Sequence, residues 1–579
     1  MKKKIPRPEH PEPMMVRDTW LNLNGEWTFE LDPGNSGEER GLVEKKLSRR
    51  ITVPFCPESK LSGINCNDFM EAIWYRRTFW VPASWNGGKV LLHFGAVDYK
   101  ATVWINGKEI GTHQGGYTPF YFEIGKVLKN NENVIVVRAV DDNRSQLQPC
   151  GKQSLLLKSR SCLYSRTTGI WQTVWLEKVS ETYLNNFRSY PDLDNGRIAI
   201  NAGINGDTKN IWLKTRASAR GKEVAEFMIP AHQNVFFTLQ LAKIIPWEPA
   251  NPFLYDLEFS LIKNNRKVDT VKSYAGLRTI GITGNKIFLN HKPIFMRFVN
   301  DQGYYPDGIY TASNQGCLRR DIEISMGMGF NGARLHQKVF EPRFLYWADK
   351  LGYLVWGEFP DWGIKRRNSS DLAIVLPEWL EVLKRDFNHP SIIGWCPLNE
   401  TTPNSSPELI ENLYLATKQA DPTRPVIDSS GSLHIQTDIY DVHDYEQDPQ
   451  KFADHYESFK NGKKAFRNFP EQNAPYRNQP YFVSEYGGTW WNPEKKNDKT
   501  WGGYGKRPKT KTEFLERYRA LTETLLFHPS ISGFSYTQLY DTEQEVNGLY
   551  TYDRRSKFDP KKIKAINFQK AAVEDEAKK

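Results

Sequence analysis

Ile392-Ile-Gly-Trp-Cys-Pro-Leu-Asn399-Glu400 is an apolar run that stops abruptly at a polar pair, and Tyr481-Phe-Val-Ser-Glu485-Tyr-Gly-Gly488 repeats the arrangement downstream. Short apolar runs of this kind read as strands buried on both faces of a parallel sheet. Working outward from them, similar runs begin near Pro293, Phe330, Tyr353, Pro425, Ile439 and Ile531, which makes eight candidate strands. Helical patterns fall between several of them, at Cys317–Met328, Pro342–Leu351, Pro377–Asn388, Pro407–Gln419 and Thr512–Leu526. Strands alternating with helices form parallel βα units, and eight such strands predict a catalytic (β/α)8 barrel over residues 276–579.

Chemistry in such a barrel sits at the C-terminal ends of the strands. The fourth candidate strand ends in Asn399-Glu400 and the seventh in Glu485, while the third, Leu354-Val-Trp-Gly-Glu358-Phe-Pro-Asp361-Trp362, also ends in acids. A single strand-end glutamate is as readily a salt-bridge residue as a catalyst. Two carboxylates facing each other across a barrel mouth are what glycoside hydrolysis needs. One protonates the leaving oxygen, and the other attacks the anomeric carbon or activates water. The spacing between them decides which, and sequence does not measure it.

Upstream the pattern changes. Residues 1–182 hold short alternating or apolar runs such as Val90-Leu-Leu-His-Phe, Ala101-Thr-Val-Trp-Ile and Val134-Ile-Val-Val-Arg-Ala-Val, bounded by Gly, Asn and Asp. That is the signature of an antiparallel β-sandwich. Residues 183–275 continue as about seven short strands, among them Arg197-Ile-Ala-Ile-Asn and Val235-Phe-Phe-Thr-Leu, and fit an immunoglobulin-like sandwich.

Composition bounds the rest. The chain has 579 residues, 13% of them aromatic, and a net charge of +10. Part of that charge lies in Lys2-Lys3-Lys4 and in the stretch Glu494–Lys511, with seven basic residues. Such runs are usually solvated, and no nucleic-acid motif is interleaved with them. The six cysteines form no CxxC pair, which argues against a disulfide framework and a structural zinc site. The opening MKKKIPRPEHPE lacks the apolar stretch of a secretory signal, and no window approaches a membrane span. The expectation is a cytoplasmic protein with no nucleic-acid or membrane partner, free to assemble as a homo-oligomer.

In order along the chain, several motifs resemble glycoside hydrolase family 2, the family of β-galactosidases, β-glucuronidases and β-mannosidases. Leu23-Asn24-Gly25-Glu26-Trp27, Val53-Pro54, Trp74-Tyr75-Arg76-Arg77, Phe94-Gly95-Ala96-Val97-Asp98 and Trp104-Ile105-Asn106-Gly107 resemble its jelly-roll sugar-binding domain. Thr168-Gly169-Ile170-Trp171 is similar to its signature before the immunoglobulin-like domain. Phe330-Asn331 with Arg334, Asn388-His389-Pro390-Ser391 through Asn399-Glu400, and Ser484-Glu485-Tyr486-Gly487 resemble its barrel motifs. The resemblance implies Glu400 as acid/base, Glu485 as nucleophile, retention of configuration, Asn399 on the sugar 2-hydroxyl, and no cofactor. A neighbouring carboxylate and partial burial are expected to raise the pKa of Glu400, while hydrogen-bond donors keep Glu485 ionised. Tyr445 or His443, after the sixth strand, could supply one. Trp490 and Trp491, after the nucleophile strand, are expected to wall the pocket.

The sequence also departs from the family's pattern. Where many members carry an Asp six residues before the glycine matching Gly169, this chain has Leu163, with Tyr164 and Arg166 nearby. The barrel histidine three residues after Arg334 is replaced by Gln337, and His336 lies one residue earlier, an offset that on a strand turns the side chain over. The Asn-x-Lys pair with which β-glucuronidases grip a carboxylate matches Glu545-Val546-Asn547, and a glutamate there repels a uronate. Arg166, Arg366, Arg367 and Arg554 remain as clamps for one. Asp361 and Trp362 are candidate sugar ligands, and Asp361 alone makes no metal cage. The reading is a retaining exo-β-glycosidase acting on a carbohydrate, first a β-galactosidase. A β-uronidase (galacturonidase- or glucuronidase-like) and an inert carbohydrate-binding protein are the alternatives.

Overall fold

The computed structural model describes residues 5–85, 87–492 and 502–574. The run Lys2-Lys3-Lys4 and residues 494–501 of the basic stretch lie outside them. The first region is a sandwich of two antiparallel sheets. The six-stranded sheet runs Arg49–Val53, Gly25–Asp32, Ala72–Phe79, Asn133–Val140, Lys100–Ile105, Lys108–Gln114, and the four-stranded one Trp20–Asn22, Val174–Val179, Lys89–Phe94, Phe120–Glu123. Leu92, Phe94, Ile135, Val137, Val103 and Trp27 fill the space between them, as period-two patterning requires.

The second region packs a three-stranded sheet against a four-stranded one. Ile211–Ala219 alternates between buried positions and partly or fully exposed ones, so one face meets the core around Phe237, Leu257 and Phe259.

Seven parallel strands form the third region, in the order Ile392–Cys396, Leu354–Glu358, Gly332–Leu335, Met296–Asp301, Ile531–Thr537, Tyr481–Gly487, Tyr440–Asp444. The expected fifth strand, near Pro425, is not a regular one. It touches the fourth strand through isolated parallel bridges, Trp395 to Val426 and Asn399 to Ser430. Its side chains compete with the ladder: the Asp428 carboxylate accepts the backbone N–H groups of Ser429, Ile435 and Gln436. The third helix begins at Leu372 rather than Pro377, so the proline lies inside it. Two helices were not anticipated, Pro449–Lys460 and Pro560–Asn567. Inside the barrel, Trp356 occupies the place a side chain on Gly394 would take: a Cβ there would lie 2.2 Å from the indole.

The jelly roll reaches onto the barrel mouth through its 141–168 loop. Cys150 and Gly151 donate backbone hydrogen bonds to Trp362 and Pro360, and Ser165 donates to Glu543. The Tyr164 hydroxyl donates to Glu545.

Candidate active site

The residues expected to carry chemistry meet at the C-terminal ends of the strands. At the end of the fourth strand the chain turns through Glu400, whose φ of 50° lies in the left-handed region that glycine favours. Its N–H is tied to the Ser430 carbonyl at 2.9 Å, so the irregular fifth segment holds the turn. A carboxylate oxygen of Glu400, Nδ1 of His443 and a carboxylate oxygen of Glu485 all lie within 4.8 Å of one another. His443 Nδ1 is hydrogen-bonded to Glu400 at 3.1 Å and lies 3.5 Å from Glu485, an ion-pair contact.

The two carboxylates are held differently. Glu485 accepts from Arg334 Nη1 at 2.7 Å and from the Tyr445 hydroxyl, and its side chain is only 5% exposed. Tyr445 is itself stacked on Tyr504, ring centres 3.7 Å apart. Glu400 keeps 40% of its side chain exposed. Arg334 spreads its guanidinium over three partners: Glu358 at 2.5 Å, Glu485, and Asn399 Oδ1 at 2.7 Å. Asn399 Nδ2 is buried without a hydrogen-bond partner.

Burial works to raise both carboxyls, and their positive neighbours reverse it. The His443 hydrogen bond and charge, then Lys152, bring Glu400 down to about 2. His443, His336 and Arg334 bring Glu485 down to about 2 against the opposing charge of Glu400. The expectation of a raised Glu400 is therefore corrected for the resting site. The imidazole between the two carboxylates outweighs their mutual repulsion. In turn, burial pulls His443 down, and the two glutamates raise it above the ordinary histidine value. These shifts together favour a charged imidazole between two ionised carboxylates.

His336 faces the site, two residues after Arg334 and on the same side of the chain. Its Nδ1 lies 3.0 Å from Glu358 and its Nε2 3.5 Å from Glu485. Burial and the Arg334 charge keep it neutral. Gln337, at φ 50°, turns back and donates to Glu358 and Asp361. Asp361 is a support rather than a sugar or metal ligand. It is fully buried, and its oxygens are taken by the Asn399 N–H at 3.0 Å, Gln337 and Arg366. The cation beside it disfavours a metal ion.

The tryptophans divide. Trp362 is half-buried at the mouth, its indole N–H unpartnered, with the Lys152 ammonium 4.3 Å from its ring centre. Trp490 is buried beneath the Arg507 guanidinium, 3.7 Å from its ring centre, so one face is already covered. Trp491 packs against Phe514 and Phe558 in the core and does not wall the pocket. Among the proposed clamps, Arg554 pairs with Asp321, Arg166 lies over the Phe69 ring, and Arg367 is exposed. Only Arg366 borders the site, donating to Asp361 and to the Asn399 carbonyl. Lys152 was missed. It comes from the jelly-roll loop, and no barrel pattern points to it.

Three family models match the chain: glycosyl hydrolases family 2, sugar binding domain, over residues 21–177; glycosyl hydrolases family 2, over 182–278; and glycosyl hydrolases family 2, TIM barrel domain, over 280–564. A β-galactosidase of Thermoanaerobacter pseudethanolicus is 28% identical over 395 residues, 66% of this chain and 51% of that protein. The chain thus spans about half the length of that relative. A β-glucuronidase of Paenibacillus borealis is 24% identical, over 70% of this chain and 72% of its own. The structure of a β-glucuronidase from Ruminococcus gnavus in complex with D-glucuronic acid superposes with a TM-score of 0.79 at 22% identity, covering 95% of this chain and 98% of that one. At that identity the likeness establishes the fold.

Proposed function

The chain belongs to glycoside hydrolase family 2, and from that premise we propose that it is a retaining, exo-acting β-glycosidase of neutral sugars, first of all a β-galactosidase. The observation that carries the reading is the approach of the Glu400 and Glu485 oxygens to within 4.8 Å, bridged by His443. So close an approach of their oxygens favours direct attack, for which the carboxyl groups stand about 5–5.5 Å apart, over inversion, for which they stand about 6.5–9.5 Å apart.

The roles follow from how each carboxylate is held. Glu485, fixed by Arg334 and Tyr445 and kept ionised, attacks the anomeric carbon as the bond to the leaving oxygen breaks. Glu400, more exposed, hands that oxygen its proton. Because the resting proton lies on His443, it passes from Nδ1 to Glu400 as the sugar displaces water. In the second half Glu400 takes a proton from water, and the hydroxide displaces Glu485 from the sugar. The jelly-roll loop docked on Pro360 and Trp362 closes one side of the mouth, which suits attack on a terminal sugar.

β-Glucuronidases among the relatives keep a uronide as the second reading. Glu545, buried where a uronate would be gripped, counts against it. A pair of carboxylates at working distance counts against an inert binding protein. The test is turnover of nitrophenyl β-glycosides. The galactoside is cleaved in preference to uronides, Glu485→Gln is dead on all, and Glu400→Gln with azide yields a β-glycosyl azide from an activated substrate. An α-azide from Glu400→Gln, or azide rescue of Glu485→Gln with Glu400→Gln unresponsive, sinks the assignment of roles. Faster cleavage of uronides than of every neutral glycoside sinks the sugar.

A further inference from the structure

Lys152 is 7% exposed. Burying an ammonium is costly unless oxygen atoms replace the water it loses. The other two buried lysines meet this demand: Lys338 donates to the carbonyls of Gly303 and Tyr310, and Lys557 to Trp491 O and Asp541. Lys152 Nζ does not. Among the described residues it has neither a hydrogen bond nor an ion pair, only the Trp362 ring beneath it at 4.3 Å. Burial pulls its pKa down, and the field of Cys162, Glu545, Glu485 and Glu400 more than restores it. A charged group with three N–H bonds to place therefore stands unpartnered at the mouth.

Its position is built, not incidental. The Lys152 carbonyl accepts from Tyr164 N–H at 2.7 Å, and Gly151 N–H donates to Pro360 and Trp362. Gly151 has φ 56°, and a Cβ there would lie 2.1 Å from the Gln337 carbonyl, so only glycine lets the loop come this close. The loop is thus clamped to the ends of the second and third strands, beside Arg334 and Glu358.

We propose that Lys152 is a specificity-determining residue that donates to a ring hydroxyl of the neutral sugar whose bond is cleaved, with Trp362 as the surface beneath that contact. This rests on the β-glycosidase reading above and deepens it. The occupant is a hydroxyl rather than a carboxylate because the ammonium already stands in the field of three carboxyl groups, Glu545, Glu485 and Glu400. A uronate would add a further carboxylate to that group. A hydroxyl accepts the ammonium hydrogen and keeps its own proton to give to a carboxylate.

The experiment compares the wild type with Lys152→Met, which keeps the stem and removes the charge, on the neutral nitrophenyl β-glycoside cleaved best and on its singly deoxygenated analogues. Unchanged thermal melting verifies the fold. The variant is expected to lose about 10- to 100-fold in kcat/KM, the range of a hydrogen bond to a charged donor. One deoxy analogue should lose a similar factor with the wild type and lose nothing further with the variant, which identifies the hydroxyl. The proposal is overturned if Lys152→Met cleaves the parent glycoside as well as the wild type does. It is equally overturned if every deoxy penalty is the same in both proteins, or if the variant loses activity on uronides alone. A wild type inactive on all neutral glycosides refutes the reading of the function itself, an outcome seen before any variant is made.

Discussion

Replacing Arg334 by methionine removes the one group that touches Glu485, Glu358 and Asn399 together. A hydrogen bond between charged groups contributes about 1.5–3 kcal/mol, and about 1.36 kcal/mol corresponds to one pKa unit. Loss of the 2.7 Å bond to Glu485 should lift its pKa by about one to two units from its present value of about 2. The sign is fixed by the role. The nucleophile works ionised, so kcat/KM falls as pH drops through its pKa, and the acid limb in the variant moves upward to about pH 3–4. The same depressed carboxyl contributes stability that is present above its unfolded value and lost as pH falls towards 2, so Arg334→Met also narrows the acid side of the stability range. Leaving buried carboxylates without their cation costs about 3–5 kcal/mol of fold stability. The assay is kcat/KM on an activated nitrophenyl glycoside after short jumps from neutral pH, with scanning calorimetry at pH 7. Arg334→Lys, which keeps the charge but not the three-way fork, should give an intermediate limb and keep the protein folded. Folded variants whose acid limb coincides with that of the wild type would refute the claim that Arg334 holds Glu485 ionised.

Gly431→Ala places a Cβ 1.9 Å from His443 Cδ2, so the imidazole must leave its place beside Glu400; kcat/KM should drop about 100-fold, as for loss of proton-transfer catalysis, and unchanged kinetics would show that His443 is not needed there. Burial pulls His434 down, but Asp428 at 2.6 Å and Asp441 at 3.2 Å raise it to about 10. Its stabilisation is complete below the ordinary histidine pKa and vanishes as pH rises through 10. The melting temperature should therefore decline between pH 6.5 and 10 in the wild type and less steeply in His434→Gln, and parallel curves would argue against the pairing.

Local pattern alone gave most of the run of elements and singled out the candidate pair Glu400 and Glu485. Period-two alternation in residues 183–275, and apolar runs that stop at Asn399-Glu400 and at Glu485, are properties of neighbouring residues, so they survive in a linear reading. The resemblance to a known family then pointed to Asn399 and Arg334, and the end of the sixth strand to Tyr445 or His443. What needed the folded chain is everything that depends on distant segments meeting. The fifth barrel segment loses its regular ladder because Asp428 binds the backbone of residues 429, 435 and 436. His336 serves the site because the strand end and the left-handed Gln337 present it there, beside Arg334. The resting charge of Glu400 is decided by His443, 43 residues away in the chain and 3.1 Å away in space. Lys152 lies in a different region from the barrel, and no periodicity links the two. Its role arises only because Gly151 lets a jelly-roll loop seat against Gln337, where burial, charge and the lack of a protein partner come together. Sequence pattern encodes which face of an element is buried; the field at a carboxylate is a sum over space, and only the tertiary structure performs it.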